Sequence, residues 1–451
     1  MSSKVFVGNM RILLVNSLYP PHGGGGAERS VAELAEGLAG EGHQVRVLAL
    51  GPEVVGPEVV GPEVVGDGAV EVTRWETSRF AAFVPGTPRS SVDKLTWHAL
   101  DVRPPGAVAF LRRASADFQP DVVHTNNLAG FGLGSWSAFR GLPLVHTIRD
   151  YYLLCIRSEL YRDGAICRTR CLPCRALRAP LKLPGRTPDV VVGVSAAVLA
   201  PHRDLMAGVP SAVIHNSPEL APRPRVAAAQ FRFGFLGRLN DGKGLWVAVE
   251  AFRRTVGEDL RLLIGGTGEP GEVERLNAVC AQDPRIEYRG RVDAASFLAE
   301  VDCLLVPTQW AEPYGRVAAE GLSAGCRVLV SGGGGLPEAV SGHGLPEATR
   351  VHGLPQAMEG HGLPEAVNGH GLPQATRGHG QVVAEFGDVT AWAEHMLTAA
   401  EEFRTGRSAG VATAGSVTGS GVSSSSAHSG EISVAERYLE VYQQARTLRG
   451  P

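Results

Sequence analysis

Residues 310–330 read WAEPYGRVAAEGLSAGCRVLV and hold the densest set of groups that could do chemistry. Pro313 and Gly315 interrupt the preceding apolar run, and a helix is expected to begin at about Arg316. The N–H groups of Gly315, Arg316 and Val317 then have no acceptor inside the helix, and with the helix dipole they suit a phosphate oxygen. Glu312 lies on the loop and Glu320 one turn into the helix. Two separated carboxylates beside an anion site fit the paired hydroxyls of a sugar and a ribose, and they also fit ordinary acids at a helix start. A second set occupies residues 235–252, FLGRLNDGKGLWVAVEAF, where Arg238 and Lys243 follow the end of an expected strand. Arginine offers a planar fork and lysine a point charge, a pairing suited to a diphosphate; Lys243 is one of only four lysines among 43 basic residues. A solvated charged loop is the alternative. Gly23, Gly24, Gly25 and Gly26 form a third set, between a strand and a helix, where backbone N–H groups can meet a phosphate. Their spacing is not G-x-G-x-x-G, and a tight turn explains them as well.

Two further features lie in the first half. Cys155, Cys167, Cys171 and Cys174 have the spacing C-x11-C-x3-C-x2-C. Four thiols can hold a structural zinc, although this spacing departs from the common two-pair pattern; free thiols or a disulfide are the other readings. Between Arg168 and Arg186 lie five arginines and Lys182 without an acid. Such a patch could meet an anionic membrane surface or a phosphorylated acceptor, or simply be solvated.

The elements that must position these groups follow from the pattern of apolar runs. Residues 10–17 (MRILLVNS) read as a strand that leads through the glycine run into a helix, and residues 45–50, 121–125, 143–147 and 190–194 are further strands. After a proline-rich stretch at 218–225 the alternation restarts, with strands at 231–237, 260–265, 286–288, 303–306 and 327–330. Buried strands alternating with helices imply parallel sheets covered on both faces. The expected units are therefore 10–217 and 226–403, two Rossmann-like domains of similar size. Residues 404–431 are rich in Gly and Ser and read as a linker, and 432–451 has helical spacing and is expected to dock back on the first domain. GPEVV occurs three times from residue 51, and residues 335–379 are a nonapeptide repeated five times. Proline in each copy excludes a long helix. His343, His352, His361, His370 and His379 recur through it and suggest a metal array, against the plainer reading of an expanded surface loop of turns or short helices.

With 451 residues, 44% hydrophobic and 20% charged, the chain has ample material for two cores, and a formal charge of -3 provides no global basic field, which argues against nucleic acid as a partner. No run approaches the ~20 apolar residues of a membrane-spanning helix, and no secretory leader is evident. Seven cysteines are too few for a disulfide scaffold, so a reducing, cytoplasmic setting is expected.

The set GGGGAERS, GRLNDGKG, EPYGRVAAE with seven residues between its glutamates, and SGGGGLPEAV is similar to the retaining glycosyltransferases of family 4, which have the GT-B fold of two Rossmann-like domains facing a cleft. The resemblance covers nearly the whole chain outside the repeats and linker. It implies a nucleotide-sugar donor held by the second domain, with no metal and no cofactor. Arg238 and Lys243 would hold the diphosphate, Glu320 the ribose and Glu312 the transferred sugar, while Gly24, Gly25 and Gly26 would close over the phosphates. It also implies front-face attack, in which the leaving phosphate takes the acceptor proton. Relatives carry His-Asp where residues 145–152 read VHTIRDYY, so Arg149 stands in the histidine place before Asp150 and His146 reads as a core residue. The acceptor would bind the first domain; the basic patch points to an anionic or lipid-linked one, with peripheral contact at the inner membrane surface. A sugar-nucleotide epimerase, a phosphorylase, or a non-catalytic scaffold of the same fold are the other readings.

Overall fold

The computed structural model describes residues 8–23, 25–52, 63–65, 70–83, 90–167, 169–178, 187–216, 223–226, 228–341, 380–383, 387–413 and 433–450. Short apolar runs form the strands. In the first half these are β1 (Arg11–Val15), β2 (Gln44–Gly51), β3 (Glu63–Val65), β4 (Val70–Glu76), β5 (Val122–Thr125) and β6 (Leu144–Ile148). A separate hairpin, β7 (Tyr161–Arg162) and β8 (Ala165–Ile166), precedes β9 (Val190–Gly193) and β10 (Ser211–Val213). The second half contributes β11 (Phe231–Leu236), β12 (Leu260–Gly265), β13 (Ile286–Tyr288), β14 (Cys303–Val306), β15 (Arg327–Ser331) and β16 (Gly380–Val383). The first sheet has the order β10-β9-β6-β5-β1-β2-β4-β3 and is parallel except for β3. The second, β13-β12-β11-β14-β15-β16, is parallel throughout.

Winding reverses between β1 and β5 in one sheet and between β11 and β14 in the other. Ligands of open parallel sheets collect beyond the strand carboxyl ends at such reversals. The loops that leave β1, β11 and β14 carry the glycine run, then Arg238 and Lys243, then Glu312 and Gly315. The topology alone therefore gathers the groups singled out by type and spacing.

Helices cover the sheets: α1 (Gly26–Gly40), α2 (Ser91–Leu100), α3 (Ala107–Phe118), α4 (Leu172–Arg178) and α5 (Ala196–Leu199) in the first half. In the second are α6 (Leu245–Arg254), α7 (Pro270–Gln282), α8 (Ala294–Glu300), α9 (Arg316–Ser323), α10 (Leu336–Ser341) and α11 (Val389–Thr413), followed by α12 (Val434–Thr447). One face of the first sheet packs against α1 and α12, through Val31, Leu34, Tyr438 and Tyr442. One face of the second packs against α6 and α11, through Phe252 and Trp392. A third apolar cluster is continuous between the two halves and includes Tyr151, Trp310 and Tyr314. This is the α/β architecture expected of the sequence, with the last helix packed on the first sheet.

Several elements differ from expectation. β4 was not anticipated, yet Val70 and Val72 alternate with polar residues and are buried beside β2. The first nonapeptide copy is not an expanded surface loop: Leu336 and Ala339 are buried and α10 packs on α9 and β15. Pro337 is tolerated because it sits in the first turn, where its missing N–H costs nothing. Residues 342–379, with the later copies and their histidines, lie outside the described residues. The expected linker is helical as far as Thr413, because Phe403 packs on Phe231 and Arg404 pairs with Asp259 at 2.7 Å; residues 414–432 lie outside the described set. The basic patch is also smaller than expected. Arg168, Lys182 and Arg186 lie outside the described residues, and Arg178 is 1% exposed with its guanidinium 4.4 Å over the Tyr152 ring.

Docking of α12 is more than apolar. His124 of β5 shares Nδ1 with the Tyr442 hydroxyl and Nε2 with the Thr147 hydroxyl, both at 2.7 Å, and Tyr438 lies 3.1 Å from Thr147. Burial holds this histidine neutral. Tyr442→Phe leaves a buried ring nitrogen without its partner and should cost about 1–3 kcal/mol in urea denaturation; an unchanged midpoint would refute the network's contribution.

Candidate active site

Glycine starts α9 for a steric reason. Gly315 adopts φ of 95°, and a Cβ there would meet Leu336 Cδ2 at 2.3 Å. The chain turns sharply enough that the N–H groups of Gly315, Arg316 and Val317 donate to no acceptor among the described residues, as their place at a helix start allows. Within α9, Gly321 sits where a Cβ would meet Leu304 Cδ2 at 2.6 Å, so its helix cost of roughly 1 kcal/mol is offset by close packing on β14.

The loop after β11 is shaped by Asn240, whose side chain accepts from the Lys243 N–H at 2.8 Å. Lys243 Nζ donates to Glu312 Oε2 at 2.6 Å and lies 5.3 Å from the Trp310 ring centre. These two groups, expected to serve a diphosphate and a sugar separately, are thus directly paired. Arg238 is exposed and stands 3.8 Å from Glu159 of the first half, across the cleft from it.

Arg316 and Glu320 lie in an ion-pair network that joins the halves. Arg316 Nε donates to Glu320 Oε1 at 2.7 Å; its Nη1 donates to Ser30 Oγ at 3.0 Å and Glu33 Oε2 at 2.6 Å, and its Nη2 to Glu33 Oε1. Arg29 adds a contact to Glu320 Oε1 at 3.3 Å. Gly26 lies against this guanidinium, since a Cβ there would be 3.5 Å from Arg316 Cδ. The starts of α1 and α9 therefore face each other. Gly25 is the N-cap of α1, while Gly24 lies outside the described residues.

Behind the glycine turn lies Glu28. Burial pushes its carboxyl up, and the Gly25 N–H, Arg238 and Arg149 draw it down. Arg149, at the end of β6, is buried and donates to Asn126 Oδ1 at 2.8 Å and Asn216 Oδ1 at 2.9 Å. Neighbouring Asp150 is pushed up to about 6, first by burial, while the Tyr152 N–H it accepts opposes the shift. Arg149 and Asp150 line one small pocket with Asn126 and Tyr152. His146 is a core histidine, bonded to Thr125 Oγ1 at 2.9 Å and held neutral by burial.

A second seam seals the halves away from the pocket. Glu338 accepts from the N–H groups of Ala196 and Ala197 at 2.8 and 2.9 Å and lies 3.2 Å from His215 Nε2. Ser195 Oγ donates to the Pro313 carbonyl at 2.5 Å. The sequence reading omitted Glu28, Ser30, Glu33, His215 and Glu338. For Gly26, Ser30 and Glu33 a signal existed, because a spacing of four and three places them on one helix face.

Cys155, Cys171 and Cys174 adjoin one another, with Cys167 beside Cys155 and Cys171, and none of the four is joined in a disulfide. Among the described residues no three metal-ligating side chains are arranged to hold an ion. Cys155 and Cys174 are buried members of the core cluster that spans the halves.

Residues 24–220 match the family described as Glycosyltransferase Family 4, and residues 230–359 match Glycosyl transferases group 1. An uncharacterised 42.6 kDa protein of the cps region of Klebsiella pneumoniae is 29% identical, covering 73% of this chain and 87% of its own. The glycogen synthase of Mycobacterium tuberculosis is also 29% identical, covering 73% of this chain and 80% of its own. Among solved structures, the catalytic domain of Arabidopsis thaliana starch synthase IV bound to ADP and acarbose aligns with a TM-score of 0.60, 12% identity, and 98% and 100% coverage. HepE of Anabaena in complex with UDP and glucose aligns with a TM-score of 0.54, 17% identity, and 88% and 91% coverage. No helix among the described residues is long and apolar enough to cross a membrane. Two facing parallel sheets, a cleft built at both winding reversals and a family match on each half lead to one assignment: the chain belongs to the GT-B glycosyltransferases, with a Family 4 first half and a group 1 second half.

Proposed function

We propose that this glycosyltransferase moves a sugar from a nucleoside diphosphate to an acceptor hydroxyl with retention of anomeric configuration and without a metal ion. The observation that carries the reading is the facing pair of helix starts, Gly26 of α1 and Arg316 of α9, beside Lys243 and Glu312. The unpaired N–H groups at the start of α9, opposite the start of α1, suit a diphosphate, and so does a lysine whose remaining donors are unspent. The nucleotides in the titles of HepE and starch synthase IV, UDP and ADP, agree with such a donor; they leave its base open here.

In this reading Gly315, Arg316 and Val317 offer N–H groups to the distal phosphate, and Lys243 and Arg238 neutralise the diphosphate. Glu320 accepts the ribose hydroxyls. Glu312, held by Lys243, accepts hydroxyls of the transferred sugar, and Gly24, Gly25 and Gly26 close over the phosphates. Arg149 takes up the position of the usual histidine and adds positive charge on the acceptor side. As the glycosidic bond breaks, charge grows on the leaving phosphate. Groups already oriented toward it stabilise that charge without reorganising, which is where the rate enhancement arises. The phosphate oxygen then takes the proton of the acceptor hydroxyl on the same face. The pocket beside Asp150 suits the acceptor, and the ion pairs across the cleft exclude water and limit donor hydrolysis.

Lys243→Ala should lower kcat by about 10²–10³-fold with an unchanged far-UV spectrum; full turnover in that variant would remove the diphosphate assignment. Nuclear magnetic resonance of the first-formed product should show the donor's anomeric configuration, and an inverted product would reject the front-face route. Incubation of donor alone should give only slow hydrolysis, whereas an epimerised nucleotide sugar would favour the epimerase reading. Asp150 binds its proton more tightly folded than unfolded. Its contribution to stability is full below about pH 4 and is lost as pH rises through about 6. Asp150→Asn should therefore be more stable than the parent by about 3 kcal/mol at pH 7.5, with the gap closing by pH 4. A gap that is independent of pH would show that Asp150 ionises normally.

A further inference from the structure

Four of the seven cysteines fall between residues 155 and 174, outside the proposed donor site. Cys171 immediately precedes α4, and Cys174 is the third residue of that helix. The Arg175 N–H donates to the Cys171 carbonyl at 2.9 Å, so the first helical turn closes directly behind Cys171. Pro173 between the two thiols is tolerated there because its missing N–H has no partner to lose. Residues three apart on one turn share a helix face, with Cα atoms about 5–6 Å apart, which is within the span that a disulfide bridges. The side chains use this proximity. The Cys174 thiol lies in hydrogen-bond contact with the thiols of Cys171 and Cys155.

The two sulfurs of the C-x-x-C pair have unlike surroundings. Cys174 is 3% exposed and sits in the core cluster beside Cys155, whereas Cys171 is half-buried at its rim. Cys171 Sγ accepts from the Cys174 N–H and from the guanidinium of Arg162 on the β7–β8 hairpin. These donors, the backbone N–H first, draw the Cys171 thiol down, while burial pushes Cys174 up. Cys167 is half-buried as well, yet its thiol is pushed up, first by burial. Thiol–disulfide exchange requires the division seen at 171 and 174: one accessible sulfur of thiolate character, and a shielded neighbour that can displace whatever becomes attached to it.

We infer that Cys171 and Cys174 are a thiol–disulfide pair, with Cys171 the site modified by low-molecular-weight disulfides and Cys174 the thiol that resolves the adduct. The Cys171 thiolate attacks one sulfur of a disulfide RSSR, forming a mixed disulfide and releasing RS⁻. Cys174 then attacks Cys171 Sγ; the intramolecular S–S bond forms and the second RS⁻ departs. The protons of the two cysteines end on the two released thiols. Two protein thiols are thereby oxidised by two electrons, and one RSSR is reduced to two RSH. One turn further along α4, Arg178 covers the ring of Tyr152, a residue of the Asp150 pocket, so the pair is connected through its helix to the proposed acceptor side.

The full chain is purified in reductant, its zinc content is measured by plasma mass spectrometry, and the protein freed of reductant is exposed to oxidised glutathione. Samples are quenched with N-ethylmaleimide and digested with trypsin, which releases residues 171–175, CLPCR, as one peptide. In the parent this peptide should lose two hydrogens roughly tenfold faster than Cys167 or Cys280 takes up glutathione, and dithiothreitol should reverse the change. In Cys174→Ser, glutathione should stay attached to Cys171. In Cys171→Ser, Cys174 should react roughly tenfold more slowly than Cys171 does in the parent. A 171–175 peptide that stays reduced, a lasting glutathione adduct on Cys171 of the parent, or equal reactivity at Cys167 overturns the inference. One zinc per chain, released when the thiols are alkylated, would make the cysteines metal ligands and overturns it as well. The decisive measurements are made on the parent, so a variant that fails to fold leaves the test intact.

Discussion

The buried guanidinium of Arg316 ties the molecule together. A cation withdrawn from water is costly unless its donors are satisfied, and here satisfaction needs carboxylates from both halves. Glu320 of its own half takes Nε, and Ser30 and Glu33 of the other half take Nη1 and Nη2. The seam made by Glu338, Ala196 and Ala197, and the bond from Ser195 to the Pro313 carbonyl, act in the same direction at the other end of the interface. Lys243 and Glu312 stand paired on the second half, and Arg149 and Asp150 line a pocket on the first. The geometry of the cleft between them is set by the contacts of the halves as much as by the local chain.

The electrostatics of that cleft are layered. On the wall of the second half, cations and free N–H groups predominate; on that of the first, Glu28 and Asp150 are both pushed upward by burial. Arg238 of the second half and Arg149 of the first both draw the Glu28 carboxyl down against that burial, so cations from both walls offset the acid behind the glycine turn.

Much of this was legible in the sequence, and what was not has identifiable causes. The α9 region was readable because Gly315 needs positive φ, which localises the helix start, and because acids, proline and glycine all fall within a few residues of it. The parallel sheets were readable from apolar runs too short for helices. The strand β4 was obscured by the adjoining GPEVV copies, although its alternation of valines was present. The first nonapeptide was misjudged because repetition suggested a surface loop, while Leu336 and Glu338 of that copy have partners far away in sequence. Arg178 looked like part of a solvated patch, and only tertiary packing over Tyr152 withdraws it. Glu33 carried a helical spacing but no type-specific signal. Its significance arises from a partner 283 positions away, which no local pattern encodes.

The place of α12 in the chain order has a consequence for how the molecule is made. The first sheet buries one face against tyrosines that are synthesised after the whole of the second sheet. While translation proceeds through the second half, β1, β5, β6 and β9 have apolar side chains and a neutral histidine still lacking their cover. The earlier-made unit thus matures after the later-made one has emerged, reversing the usual N-to-C sequence of domain completion. Until α12 emerges and docks, that apolar face stays uncovered.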